Sequence, residues 1–337
     1  MRGASSAAAL FDLETESPVR VFDPLRQGVA LPHAAVFHPL GFPLELATNS
    51  EDVIAAARGN WQGLPGLFSE PVLRLEVGVD EESRGPCPET LAFRARRHLL
   101  TMISDRANFA VCDLERAFAF CWFSPATARN KAWLRYFYLD TIVYLILWHK
   151  CLTRIHASCV ARDGRAILLC GPAGAGKSCL AYACARRGWT FVSDEATSLL
   201  RRSEDRLVLG KPREMRFRDS AVEILPELAG RPVARNFAGK MTIEVPTSEL
   251  TGISTAVQCR AVAVVFLNRH SGGPARLVTL PFEESWRRLE QDLPLFDQEV
   301  HAQHRASLRH LLEAGAYELQ YCGLEAAVAV LESLVRS

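Results

Sequence analysis

Eight residues, Gly171-Pro172-Ala173-Gly174-Ala175-Gly176-Lys177-Ser178, constrain this chain more than any others. They satisfy G-x-x-x-x-G-K-[ST] at every fixed position, and their flanks fit a loop between a buried strand and a helix. The apolar run 166–170 reads as the strand, and 179–185 reads as the helix that opens on the loop. Glycines let the backbone fold tightly, so that successive N–H groups point inward at phosphate oxygens. A helix N-terminus adds unpaired N–H groups and partial positive charge. The expected phosphate contacts are Gly171, Ala173, Gly174, Ala175 and Gly176 in the loop, with Lys177, Ser178 and Cys179 at the helix start. Lys177 would reach the β/γ-phosphates and the Ser178 hydroxyl would ligate Mg²⁺. The pattern therefore predicts a nucleoside triphosphate ligand.

The chain has 337 residues, enough for a large core and for two domains. Its formal net charge is +1, with scattered arginines, which argues against bulk nucleic-acid binding. Pairs such as Arg186-Arg187, Arg201-Arg202 and Arg287-Arg288 read as solvated faces. Ten cysteines form no C-x-x-C pair and no metal-ligand spacing, so reduced thiols in a cytoplasmic protein are expected. The most apolar run, 141–148, is too short to cross a bilayer and reads as a buried helix of a soluble protein. His301 and His304 lie three apart with no acid or cysteine placed to complete a metal site, so a solvated helix is expected there.

Along the chain, residues 1–30 look loose and 31–150 form a first mixed α/β region. That region carries strands at 72–77, 109–113 and 117–122, an exposed loop at 80–89 and one long aromatic helix over 130–150. A second region, 151–337, opens on a hairpin whose turn is Asp163-Gly164. After the loop helix, which ends at Gly188, a strand over 189–192 terminates at Ser193-Asp194-Glu195. Further strands are expected at 241–245 and 261–267, and helices at 285–291, 304–315 and 323–335.

The acidic pair Asp194-Glu195 discriminates among functions. Ligands gather at the carboxyl ends of strands in an open α/β sheet, so acids there lie near the phosphates. One carboxylate can hold Mg²⁺ while another takes a proton from an attacking hydroxyl. The alternative is a solvated acidic turn. Asp194 follows the loop lysine by only about 17 positions, closer than a metal-binding acid usually stands in a P-loop protein.

Three ordered elements resemble the catalytic domain of HPr kinase/phosphorylase: Ile155-His156-Ala157-Ser158, the G-P-x-G-x-G-K-S loop at 171–178, and Arg187-Gly188 leading through Val192 to Asp194-Glu195. The resemblance covers roughly 153–200, and a weaker likeness to the wider HPr-kinase-related group extends to about 290. It implies an α/β (α+β) P-loop catalytic domain of the type shared with phosphoenolpyruvate carboxykinases, preceded by a smaller mixed α/β region. It also implies ATP-dependent phosphorylation of a serine hydroxyl. On this likeness Lys177 binds phosphates, Ser178 binds Mg²⁺, and Asp194 acts as base and stands by the metal. Glu195 takes the place of a second aspartate near the metal. His156 matches a histidine near the transferred phosphate, its alternative being a core histidine on a strand edge.

Where the family carries an E-I-R-G-L-G-type signature this chain reads Lys211-Pro212-Arg213-Glu214-Met215-Arg216-Phe217, which argues against a true HPr kinase/phosphorylase. Arg213, Arg235 and Lys240 are candidate clamps for the phosphoryl group or the acceptor. The leading expectation is a Mg-ATP-dependent kinase acting on a hydroxyl of a peptide, protein or small metabolite. The alternative is a regulatory module that binds or slowly hydrolyses ATP. The first region could buttress the catalytic part, bind the acceptor or make a homo-oligomer.

Overall fold

Alternating apolar and polar residues build the first sheet. In the computed structural model, which describes residues 29–236, 239–270, 272–294 and 296–336, seven strands precede residue 124. They are β1 (His33–Phe37), β2 (Leu44–Thr48), β3 (Leu73–Val79), β4 (Ala92–Arg96), β5 (Leu99–Asp105), β6 (Asn108–Asp113) and β7 (Phe118–Phe123), in the order β1-β2-β3-β7-β6-β5-β4. β3 pairs in parallel with β2 and β7, and the other neighbours are antiparallel. The strands expected at 72–77, 109–113 and 117–122 are β3, β6 and β7, and 80–89 is a loop. The looseness expected of 1–30 falls, but for residues 29 and 30, outside the described residues.

Helix α1 (Glu51–Trp61) lays Val53, Ala57 and Trp61 into the core of this sheet. The single helix expected over 130–150 is a helical run of three segments. After the short α2 (Pro125–Arg129) come α3 (Lys131–Leu134), a π-helical segment Arg135–Asp140, and α4 (Thr141–Lys150). The Thr141 hydroxyl donates to the Tyr136 carbonyl five residues back, which feeds the widened turn. Trp133, Leu134, Tyr138, Leu139 and Ile142 bury one face of the run in the first core.

The second sheet holds ten strands. β8 (Leu152–Ile155), β9 (Ala157–Arg162) and β10 (Arg165–Cys170) come first. β9 and β10 form the expected hairpin, in which Arg162 pairs with Arg165 across Asp163 (φ 52°) and Gly164 (φ 77°). Two central residues at positive φ are what a two-residue type I′ turn requires. β10 is buried on both faces, Ile167 and Leu169 to one side and Ala166, Leu168 and Cys170 to the other. Helix α5 (Lys177–Arg186) follows and stops where Gly188 N–H bonds Ala185 O and Trp189 N–H bonds Cys184 O, a Schellman cap.

Then come β11 (Thr190–Ser193), β12 (Thr197–Leu200) and β13 (Leu207–Leu209). A separate three-stranded sheet interrupts them, built from β14 (Glu214–Arg218), β15 (Ala234–Arg235) and β16 (Met241–Pro246) in the order β14-β16-β15. β17 (Ser254–Thr255), β18 (Gln258–Arg269), β19 (Arg276–Thr279) and β20 (Ala316–Tyr321) complete the large sheet, with β18 parallel to both β10 and β20. α6 (Phe282–Glu290) and α7 (Gln298–Leu312) cover one face, while α5, α8 (Leu324–Arg336) and the small sheet cover the other. The chain is a mixed α/β protein.

Two expectations about polar residues are corrected here. Arg201 is 5% exposed rather than solvated, and it donates to the carbonyls of Trp148 (2.8 Å) and His149 (2.6 Å) at the end of α4. His304 is fully buried rather than on a solvated helix face. Its Nδ1 lies 2.9 Å from Thr153 Oγ1 and its Nε2 lies 3.2 Å from Arg201. Buried donors and acceptors must find partners, and these groups find each other.

Candidate functional site

The loop between β10 and α5 is held from two sides. Gly176 has φ 95°, and a Cβ there would come within 2.9 Å of the Tyr321 hydroxyl. That hydroxyl, on β20, donates to Ala175 O at 3.1 Å and so pins the loop. A Cβ on Gly174 would meet the Arg218 guanidinium of β14 at 3.2 Å. Glycine is therefore required both by the backbone turn and by what packs on it.

Lys177 is 6% exposed, and its ammonium donates to Gly171 O (2.7 Å), Pro172 O (3.3 Å) and His156 Nε2 (3.2 Å). The third contact fixes the histidine tautomer. An ammonium only donates, so Nε2 carries the lone pair and Nδ1 carries the proton, which goes to Glu195 O at 3.1 Å. Burial, then Lys177, then Arg154 push the His156 pKa below its ordinary value, so the ring is neutral at pH 7. Burial likewise lowers Lys177. His156 is thus a half-buried residue that orients the lysine.

Asp194, at the end of β11, ties together β9, the start of α5 and β14. Its Oδ1 accepts from Ser158 (2.7 Å) and from Ser178 (2.9 Å), and its Oδ2 accepts from the Arg216 N–H (2.9 Å). Burial pushes the carboxyl above the usual carboxylate range, against the downward pull of these three bonds, with Glu195 adding to the rise. A carboxylate has about four lone-pair sites, so one on Oδ2 stays open. Glu195 is exposed and sits at φ 60°, which turns its carbonyl to His156.

The loop opens on a cavity of about 460 Å³. Of the expected contacts, Ala173, Gly174, Gly176, Lys177, Ser178, Cys179 and Glu195 line it, whereas Gly171 and Ala175 do not. Those two serve through their carbonyls, which hold Lys177 and Tyr321. Burial keeps Cys179 a thiol by raising its pKa. Arg213, Arg235 and Lys240 all line the cavity, and nine Arg/Lys against four Asp/Glu give it an anion-attracting wall. Arg213 is also tied to the first region through Gln62 O. Arg218 and Arg269 line the cavity with no ionic partner among the described residues.

Sequence reasoning did not assign roles to Ser158, Arg216, Arg218, Arg269 or Tyr321. It also missed that α1 and the 131–140 helical run supply Asn60, Arg135, Tyr136 and Asp140 to the same cavity. These residues carry no local motif. They meet only through the fold.

A second, larger cavity of about 960 Å³ lies beside the first, and Asp194 opens on it. The two share Tyr136, Asp140, Lys211, Glu214 and Arg216. Ser178 lines one and Asp194 the other, so the Ser178–Asp194 hydrogen bond stands between them. No group of three or more His, Cys, Asp or Glu side chains forms a metal cluster among the described residues. Nor is any described helix long and apolar enough to cross a membrane.

No family model matches the chain, and none of the curated proteins does. Among solved structures, the HPr(Ser) kinase/phosphatase from Coxiella burnetii aligns with 54% of this chain and 93% of its own, at 14% identity and a TM-score of 0.28. The chain is a mixed α/β protein with a distant structural neighbour that is a kinase/phosphatase.

Proposed function

We propose that the protein is a Mg-ATP-dependent kinase that transfers the γ-phosphoryl group to a hydroxyl. The observation that carries this reading is the position of Asp194. It is bonded to the first helical turn after the loop, yet it lines the second cavity and not the loop cavity. A nucleotide switch needs no base facing a second cavity. A phosphotransferase does.

In this reading the N–H groups of the loop and the α5 N-terminus hold the phosphates. Lys177 gives up its weakest partner, Pro172 O at 3.3 Å, to reach them. Neutral His156 keeps the ammonium aimed, and the uncommitted Arg218 and Arg269 meet phosphoryl charge at the mouth. Ser178 Oγ with the Glu195 and Asp194 carboxylates is an all-oxygen donor set that fits Mg²⁺, which would neutralise phosphate charge. Because Asp194 Oδ1 already accepts two hydrogen bonds, Glu195 is the better direct ligand and Asp194 the better base. The acceptor hydroxyl gives its proton to Asp194 Oδ2 as its oxygen bonds the γ-phosphorus. The bond from that phosphorus to the bridging oxygen breaks, and its electron pair leaves with ADP.

The test is transfer of labelled γ-phosphate from Mg-ATP to serine-containing acceptors, followed by mass spectrometry. Lys177→Ala should abolish nucleotide binding or turnover, whereas Asp194→Asn should bind ATP normally and lose transfer by a factor of at least about 10². Full transfer by Asp194→Asn would remove the base. ADP formation that never yields a phosphorylated acceptor would favour the regulatory ATPase instead.

A further inference from the structure

We infer that the larger cavity is the acceptor site and that it takes an extended polypeptide segment, apolar along its length, which places a serine or threonine hydroxyl at Asp194. This rests on the kinase reading above, because it takes Asp194 as the base that meets the acceptor. Three features of the cavity select that occupant.

The first is continuity. Asp194 is the sole member of the loop's polar cluster, made of Lys177, Ser178 and itself, that opens on this side, so whatever fills the cavity abuts the carboxylate taken above as the base. The second is size and wall chemistry. The cavity has about twice the volume of the loop cavity. Much of its lining is apolar, with Phe93 on β4, Phe137, Tyr144 and Trp148 on the helical run, and Phe296. Tyr144 and Trp148 stack at 5.7 Å, which makes a flat aromatic floor. From Phe137 to Trp148 a helix rises roughly 16 Å at ~1.5 Å per residue, the span of about five extended residues. Free serine, a zwitterion, would leave that wall in water and would have no partner for it.

The third is charge. Arg97 lies at the β4 end with no ionic partner among the described residues, whereas Lys211 is paired with Asp140 (3.6 Å) and Arg216 with Glu214 (2.5 Å) and Glu244 (3.0 Å). The Arg97 cation favours an acidic residue on the part of the segment that reaches β4, whereas Asp297, which lines the same cavity beside His149 (3.6 Å), disfavours a second acidic residue near itself. β4 is also the last strand of its sheet, fully exposed and paired with β5 alone, so its free edge offers main-chain hydrogen bonds to an extended chain. Phosphoryl transfer on this segment has the same balance as before: the side-chain O–H proton goes to Asp194, the oxygen–phosphorus bond forms, and ADP leaves.

The probe is a blocked peptide of about nine residues with one serine, flanked by leucine and phenylalanine and ending in glutamate. A control peptide replaces the apolar residues with glutamine. Binding to the full-length protein is read by calorimetry without nucleotide, and phosphorylation is read separately with Mg-ATP. Phe93 is 52% exposed, so Phe93→Glu should fold normally. We expect it to weaken binding of the apolar peptide, and to raise its KM, by about tenfold with kcat unchanged. Exchanging the peptide's glutamate for lysine should weaken binding to the natural protein, and Arg97→Glu should restore it.

Equal binding of the two peptides, or indifference to Phe93→Glu, overturns the acceptor site even if free serine is phosphorylated and the kinase reading stands. Phe93-dependent binding of a peptide that is never phosphorylated, by protein that binds ATP through Lys177, sinks the kinase reading and the acceptor role with it. Phe93-dependent binding together with Lys177-dependent phosphorylation supports both.

Discussion

His304 makes the protein's stability depend on pH in a way the structure lets us calculate. Arg201 can only donate, so the His304 Nε2 that faces it at 3.2 Å must accept, and Nδ1–H must go to Thr153 Oγ1 at 2.9 Å. A second ring proton would point an N–H at a guanidinium inside the core. Burial first, and Arg201 next, depress the pKa to about 3. An imidazole in the unfolded chain titrates near 6.5. Between these values the unfolded state binds a proton that the native state refuses, so stability is full above about pH 6.5 and falls as the pH drops. From pH 7 to pH 5 the loss from this residue is about 2 kcal/mol.

Glutamine can replace both ring contacts without titrating. The assay is urea unfolding of the natural protein and of His304→Gln at pH 7 and at pH 5, followed by tryptophan fluorescence. Comparing the two proteins removes the contributions of other groups, including His149, whose pKa burial also lowers. The natural protein should lose about 2 kcal/mol more than the variant over that interval. If both lose the same amount within about 0.5 kcal/mol, the buried neutral-histidine argument is wrong.

Two more outcomes follow from the loop. Gly176→Ala puts a side chain at φ 95° and against the Tyr321 hydroxyl, so it should cost about 2 kcal/mol and lower the calorimetric Tm by a few degrees. An unchanged Tm would mean that the loop relaxes freely. Arg218→Gln should raise KM for ATP about tenfold and leave the Tm within about 1 °C, since the exposed guanidinium has no ionic partner among the described residues to lose. An equal fall in Tm and activity would instead make it a structural contact.

What could be read from the sequence was local. The β9–β10 hairpin, β10, α5 and its Schellman end are each written in a few neighbouring residues: Asp163-Gly164, an apolar run, a glycine after a helical pattern. The pairing of Asp194 with Ser178 could be anticipated because β10 and β11 run the same way on either side of antiparallel β9, and ligands gather at such strand ends. The bonds from Ser158 and the Arg216 N–H could not, since Ser158 stands in its sequence element with no role of its own and a main-chain donor has no signature. Periodicity also misjudged Arg201 and His304. A polar pair on a helix or at a strand end reads as solvated, and only the tertiary pairing shows that each is the other's partner. The helix over 130–150 was recognisable by its apolar density, but the π-helical segment inside it was not.

The Asn60–Asp140–Lys211 cluster has a bearing on how the molecule would answer its ligands. Lys211 donates to Asn60 Oδ1 at 2.5 Å, and Asn60 donates to Asp140 Oδ1 at 2.6 Å. Together they stitch α1, the helical run and the approach to β14 into one rim around both cavities. Each wall is contributed by stretches more than a hundred residues apart in the chain, so neither cavity exists in any fragment that ends at residue 150 or starts at 151. A ligand in either cavity would touch both halves of the chain at once, so its binding free energy would favour the state in which they are joined. By mass action, saturation at a hundred times the dissociation constant would add about 2.7 kcal/mol to that union. Ligand concentration would then set how firmly the two halves of the molecule are joined.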